Sequence, residues 1–209
     1  MRQKNSTMWD KMESIEETRF RMTKNTSINK LAKALEKNQV DPQLIRFLKR
    51  FNKKKNLFTS SSCAGRIMLL GADNEEHKMP KMFIGKWHRL VKFKEVFELL
   101  QKKTKFQEIW FKQEPFIFHI VCKNLETAKK VLQLKEKLGI KRGGIFTIED
   151  GRYIIELTGT NNMSLPVKFG DKILLDKKQM QKIIKKANQK LTKNYAILKN
   201  IMIAFQKEL

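Results

Sequence analysis

The stretch EPFIFHIVCKNLETAKKVLQLKEKLGIKRGGIFTIEDGRYIIELT, residues 114–158, decides the fold class. Pro115 to Cys122 is a short run of aromatic and β-branched residues, with the length and composition of a strand. Asn124 then caps a helix whose apolar positions are Leu125, Ala128, Val131, Leu132 and Leu138, and Gly139 stops it. Gly143 and Gly144 open a second strand, Ile145 to Ile148, completing a strand–helix–strand unit. Asp150-Gly151 is a tight hairpin signal that returns the chain through Tyr153 to Thr158. The expectation is a mixed α/β (α+β) single domain over residues 1–209 with a mixed sheet. No Gly-x-Gly-x-x-Gly follows a strand and no P-loop is present, so nucleotide sites of those kinds are unsupported.

Upstream, residues 1–40 form a helical N-terminal arm. Trp9, Met12, Ile15 and Phe20 give one apolar stripe, and Leu31, Ala34 and Leu35 a second. Val40-Asp41-Pro42 is a helix start, with Asp at the N-cap and Pro at the first helical position. Leu44, Ile45, Phe47 and Leu48 give that helix its buried face, and it ends near Phe51-Asn52. Asn56 to Phe58 and Ile67 to Leu70 read as strands. Between them Thr59-Ser60-Ser61-Ser62-Cys63-Ala64-Gly65 reads as a loop of small hydroxyl residues. Residues 71–80 read as a polar turn, Met82 to Val91 as a strand, Glu95 to Lys103 as a helix and Glu108 to Phe111 as a strand. Downstream, Leu165 to Val167 and Ile173 to Leu175 are short strands. Residues 176–209 are a long basic helix with apolar positions Met180, Ile183, Ile184, Ala187, Leu191, Leu198, Met202 and Phe205.

The chain has 209 residues, 45 Lys plus Arg against 21 Asp plus Glu, and a formal charge of +24. With 41% hydrophobic residues and 14 Phe it can bury a core, which a disordered basic tail cannot. Such a charge calls for a polyanion, and nucleic acid is the first candidate. Only nine of the cations are Arg. Lys tracks phosphates as a point charge and reads base edges poorly, so recognition of shape and backbone is expected. Lys86, Trp87, His88, Arg89, Lys141, Arg142, Lys182 and Lys186 are the RNA-binding candidates; for the helical lysines a solvated face is the competing reading. No apolar run is long enough to span a membrane. The first residues hold no signal-peptide core, and two cysteines suit a reducing compartment, so a cytoplasmic protein is expected, with a monomer favoured. Two Cys and three His lack the spacing of a zinc site, so no metal is expected.

The chemistry concentrates at Thr59 to Arg66. Four consecutive hydroxyls followed by a small residue, Gly and Arg place donors and a cation on one short segment, suited to a carboxylate or phosphate. A Cys63–His nucleophile pair is a further possibility of composition. His119 alternates with Ile117 and Val121 on one strand face, where a satisfied core histidine is the common case.

These pieces resemble the tRNA wybutosine-synthesizing protein 3 family. Its hallmark, [ST]-x-S-S-C-x-G-R, is met in full by Thr59 to Arg66. Val40-Asp41, eighteen residues upstream, is similar to the family's Val-Asp at a helix start. Glu114-Pro115-Phe116-Ile117-Phe118-His119-Ile120-Val121-Cys122 is similar to its Glu-Pro-Phe-x-x-His-x-x-Cys strand, and Lys86-Trp87-His88 looks like its archaeal members. The second half departs. Gly-x-Arg-x-Ser-Gly-Ile is replaced by Gly139 to Ile145 with Arg displaced by one place and Ser lost. Arg-Ser-Thr is replaced by Thr158-Gly159-Thr160, and Leu-Glu-x-Pro by Met163-Ser164-Leu165-Pro166.

The resemblance implies an S-adenosylmethionine-dependent methyltransferase whose mixed α/β fold is not Rossmann-like, consistent with the absent glycine fingerprint. Its target would be a ring nitrogen of the tricyclic 4-demethylwyosine-type base beside the anticodon of tRNA-Phe, with the anticodon arm as partner. It implies catalytic Asp41, Ser61, Ser62 and His119. It also implies a cofactor site of Thr59, Ser61, Ser62, Cys63, Gly65, Arg66, Gly144, Thr160 and Pro166. The alternative is a non-catalytic basic RNA-binding paralogue of the same fold.

Overall fold

The structure, a computed structural model, describes residues 8–73 and 81–209, with side chains from Ile15 onward in the first helix. The side chains of Trp9 and Met12, and most of the turn expected at 71–80, lie outside the described residues. The elements in order are α1 (Met8–Glu36), α2 (Pro42–Phe51), β1 (Leu57–Cys63), β2 (Arg66–Ala72), β3 (Phe83–Trp87), α3 (Phe93–Gln101), β4 (Glu108–Glu114), β5 (Ile117–Cys122), α4 (Leu125–Lys137), β6 (Ile145–Glu149), β7 (Arg152–Thr158), β8 (Met163–Phe169), β9 (Lys172–Ile173) and α5 (Lys177–Glu208). They group into two compact, interleaved units. One holds the described chain up to Cys63 with Ile117–Thr158 and Asn200–Leu209; the other holds Ala64–Phe116 and Gly159–Lys199.

The first unit is built on a four-stranded sheet in the order β1-β5-β7-β6, and every neighbouring pair is antiparallel. The strand–helix–strand unit is present as β5-α4-β6. The Asp150-Gly151 hairpin inserts β7 between its two strands, so they run parallel without touching. The mixed sheet expected from sequence is therefore corrected to an antiparallel one. Asn124 caps α4 by accepting the Thr127 N–H at 3.0 Å, and Ala128, Val131 and Leu134 are buried beneath it. On the face carrying Phe118, Phe47 of α2 packs at a tilt 5.5 Å from that ring, while Phe51 lies 6.1 Å from Phe205. On the opposite face Phe20 of α1 meets Phe58 edge-on at 5.4 Å and packs with Val121 and Ile154. The apolar residues Ile15 and Met22 of α1 stay exposed. Phe20 is thus the anchor of the N-terminal arm.

The second unit is an antiparallel five-stranded sheet in the order β3-β2-β4-β8-β9. Met180, Ile184, Ala187 and Leu191 of α5 and Val96 and Leu100 of α3 pack with Ile67, Leu69, Ile109, Phe111 and Val167 as its core. Asp176 and Gln179 start α5 with reciprocal side-chain bonds to each other's N–H, at 2.7 and 3.0 Å. The Lys168 ammonium, buried, donates to the carbonyls of Leu100 and Lys102 at 2.9 Å each, closing the end of α3. Two strands are shorter than the sequence suggests. β3 stops at Trp87 rather than continuing to Val91, and β9 is a two-residue pairing at Lys172–Ile173. Among the described residues no helix is long and apolar enough to cross a membrane.

A single buried amide ties three segments of this unit together. Asn194 of α5 donates to the Ala64 carbonyl at 2.7 Å and accepts the Phe116 N–H at 2.8 Å. The Phe116 carbonyl in turn accepts the Gly159 N–H at 3.1 Å. Gly65 sits against this amide at φ +103, where an added Cβ would stand 2.8 Å from Asn194 Nδ2 and 2.9 Å from the Glu114 carbonyl. Replacing Asn194 by Leu takes a hydrogen bond from the buried Ala64 carbonyl and another from the buried Phe116 N–H. The expected loss is about 2 to 4 kcal/mol in urea unfolding.

Candidate active site

Thr59 to Cys63 is strand rather than loop, because each of these residues but one pairs with β5. Thr59 faces Ile120 and Ser61 faces His119, so Ser60 is an extra, bulged residue. Side chains alternate along a strand, and without that insertion Ser61 would share the face of Thr59. Thr59 is buried, its N–H and hydroxyl both donating to Asn52 Oδ1, at 2.8 and 3.1 Å. The bulge turns Ser61 to the other face, onto His119.

That face carries a hydrogen-bonded row across three strands. Ser61 Oγ lies 3.1 Å from His119 Nδ1, and His119 Nε2 lies 3.1 Å from Glu156 Oε2. His119 is 27% exposed, so it is not the enclosed core histidine that is commonest on such strands. A carboxylate can only accept, so Nε2 carries the proton in this pairing, and neutral His119 presents a lone pair at Nδ1 to the Ser61 hydroxyl. The Phe146 ring stands edge-on to the imidazole at 5.2 Å. Glu156 was not among the residues read from the sequence. Its one signal is a lone carboxylate in the apolar alternation of Tyr153 to Leu157.

Asp41 stands at the N-cap of α2 and its carbonyl accepts the Leu44 N–H at 2.9 Å, but its side chain makes no cap hydrogen bond. A carboxylate oxygen of Asp41 lies within 4.8 Å of Cys63 Sγ, which brings it to the far end of β1. Along β1 a groove of about 230 Å³ is lined by Ser27, Lys30, Leu31 and Ala34 of α1, by Val40 and Leu48, and by Thr59 to Ser62. Gly144 lies in this same unit and its carbonyl accepts the Glu156 N–H at 2.9 Å.

The remaining sequence candidates lie in the second unit or on exposed segments. Arg66 pairs with Glu114, Nε and a terminal nitrogen both 2.7 Å from Oε2, and sits 5.7 Å from the Phe83 ring. Thr160 is exposed just beyond Gly159, and Pro166 pairs with Trp110 where β8 is bulged. Trp87 packs against the core and over Gly85, where a Cβ would meet its ring at 2.4 Å. Lys86 lies 5.3 Å from the Phe83 ring. His88 accepts the Tyr195 hydroxyl at its carbonyl, 3.2 Å away. Arg89 grips Glu95 at 2.5 and 3.2 Å, and this guanidinium, with the Lys92 N–H, holds the Glu95 carboxyl at about 2. Lys141, Arg142, Lys182 and Lys186 are exposed. Beside Lys186 a groove of about 840 Å³ runs along α5, lined by Lys185, Lys190, Lys193, Asn161 and Phe93.

Comparison with known proteins gives one answer. The family model of Methyltransferase TYW3 matches residues 21–207. A Thermococcus sibiricus protein named tRNA(Phe) 7-((3-amino-3-carboxypropyl)-4-demethylwyosine(37)-N(4))-methyltransferase is 31% identical over 191 residues, 91% of this chain and 96% of the relative. A Thermococcus kodakarensis protein of the same name, numbered 1, is 31% identical over 90% of this chain and 94% of its own. The solved structure of the PH1069 protein from Pyrococcus horikoshii superposes with a TM-score of 0.81 at 30% identity, covering 90% of this chain and 94% of that one.

The two thiols differ in kind. Cys63 is half-buried, whereas Cys122 is fully enclosed and burial pushes its thiol up to about 12. A maleimide reagent at neutral pH is expected to modify Cys63 and leave Cys122 untouched until the chain is unfolded, as peptide mass mapping would show.

Proposed function

The chain belongs to the Methyltransferase TYW3 family, and from that premise we propose that it methylates the N4 ring nitrogen of the 4-demethylwyosine-type base at the anticodon arm of tRNA(Phe), using S-adenosylmethionine. The observation that carries this reading is the Ser61–His119–Glu156 row, open to solvent beside the hallmark strand.

The donor set beside that row fits the cofactor. The Lys30 cation suits a carboxylate, the hydroxyls of Ser60, Ser61 and Ser62 suit polar groups, and Leu31, Val40 and Leu48 supply an apolar wall. In this reading Ser61, Ser62 and Lys30 hold the cofactor. Thr59 serves the strand through Asn52, and Gly65 and Arg66 serve the turn that follows. Cys63, Gly144, Thr160 and Pro166 remain on the family resemblance alone. Bound, S-adenosylmethionine supplies a methyl group on a sulfonium, open to displacement by a nitrogen lone pair.

The protein's own residues do the rest. The acceptor nitrogen must shed a proton as it takes the methyl group, and the Ser61 hydroxyl is placed to relay it to His119 Nδ1. Glu156 holds the ring orientation and stabilises the imidazolium that results. Asp41 contributes negative potential at the end of β1, in a chain whose excess charge is otherwise unfavourable for a cation. Holding both reactants in line supplies much of the remaining acceleration.

The test is mass spectrometry of tRNA(Phe) carrying the demethylwyosine-type base after incubation with protein and methyl-labelled cofactor. One labelled methyl on that base is expected; a protein that binds the tRNA but neither binds the cofactor nor transfers its methyl group would establish the non-catalytic alternative. His119→Asn and Glu156→Gln should lower turnover by about 10² to 10⁴. Asp41→Asn should lose turnover while the fold survives, since Asn serves as well as Asp at a helix N-cap position. Lys182 and Lys186 make no ion pair among the described residues. If they meet phosphates, replacing both with Gln lowers the salt slope of tRNA binding by about 0.7 to 0.9 per contact.

A further inference from the structure

Phe146 occupies an unusual position for a large aromatic side chain. Ile145 pairs with Ile155 and Thr147 with Ile154, so Phe146 is the bulged residue of β6. A bulge re-aims its side chain, and here the ring reaches His119 at 5.2 Å with planes at 61°. The contact uses part of the ring only, for Phe146 remains 58% exposed. The segment before it is built to lie flush with the sheet. Gly143 has φ +91, and a Cβ there would stand 2.1 Å from the Glu156 carbonyl oxygen, so no side chain fits. The exposed cations Lys141 and Arg142 lead directly into this approach.

We propose that Phe146 is the stacking platform for the substrate's planar base, a specificity residue that lays the tricycle beside Ser61 and His119. The inference rests on the reading given under Proposed function and adds to it the residue that recognises the base's flat face. A tricyclic base offers a larger face than guanine, and an exposed aromatic ring takes such a face without needing its hydrogen-bonding edge. The edge, with the acceptor nitrogen, then stays turned toward Ser61. Lys141 and Arg142 supply the adjoining phosphate contact.

The experiment compares wild type, Phe146→Leu and Phe146→Trp by filter binding and by steady-state methylation. Two substrates are used: tRNA(Phe) bearing the demethylwyosine-type base, and the same tRNA with guanosine in its place. Stacking on an aromatic side chain is worth about 5- to 150-fold per base. Phe146→Leu should therefore weaken binding of the tricyclic tRNA by at least about fivefold and raise KM to match. Binding of the guanosine tRNA should change less, and Phe146→Trp should restore wild-type values. Phe146→Leu that binds the tricyclic tRNA as tightly as wild type overturns the proposal. So does a fall in kcat at unchanged KM, which would make the ring a support for His119 instead. A wild-type protein that transfers no methyl group refutes the underlying reading, an outcome distinct from an active enzyme indifferent to Phe146.

Discussion

The site depends on one surplus residue. Ser60 has no partner opposite it on β5, and everything downstream of it in β1 is turned over by that insertion. Thr59 goes into the covered face and is fixed there by Asn52; Ser61 goes to the face of His119. A second bulge, on the other edge of the sheet, delivers Phe146 to the same imidazole. Edge strands tolerate such insertions because only one side of the ladder is disturbed. This face therefore takes its two outer side chains from irregular edges, while the two central strands supply His119 and Glu156 in regular register.

Regularity elsewhere is held by buried amides and one buried ammonium. Asn52, Asn194 and Lys168 are each almost fully enclosed, and each takes backbone groups that the ladders leave over. Asn194 serves the turns at Ala64 and Phe116, which are the points where the chain enters and leaves the five-stranded unit. A hydrophobic residue in its place would take a hydrogen bond from each of these buried backbone groups, which costs more than the amide itself gains. Small polar side chains here decide chain routing, and the apolar core decides how much stability accompanies it.

This division explains what could be read from the sequence. Periodicity and stop signals mark α2, α4 and α5 closely, because Asp41-Pro42, Asn124 and Gly139 act locally. The hallmark Thr59 to Arg66 and the strand with His119 carry the family resemblance, and the family match confirms it. Strand pairing is not local. Four hydroxyls in a row have weak strand propensity, and only the ladder with β5 makes them a strand. Glu156 and Phe146 escape for the same reason. Their placement comes from a row across four strands joined by a hairpin and a helix, which no window of sequence displays. Trp87 is the converse case, for it stands among the RNA-binding candidates read from the sequence, yet its ring closes over Gly85.

The excess charge of +24 also gains a finer meaning from its pairings. Arg66, Arg89 and Arg152 are engaged with Glu114, Glu95 and Glu149, and Lys123, Lys130 and Lys137 with Glu17, Glu126 and Glu208. Many carboxylates are thus matched by a neighbouring cation, and the surplus is carried by exposed lysines such as Lys182, Lys185 and Lys186. Their field is screened over about 8 Å at physiological salt, so it gathers a polyanion only at close range and without regard to sequence. Selection of one base must then come from groups that read its face and its edge. Under the proposed function the charged surface would hold RNA without choosing among sequences, and discrimination would fall to the row of Ser61, His119 and Glu156 and to the ring beside it.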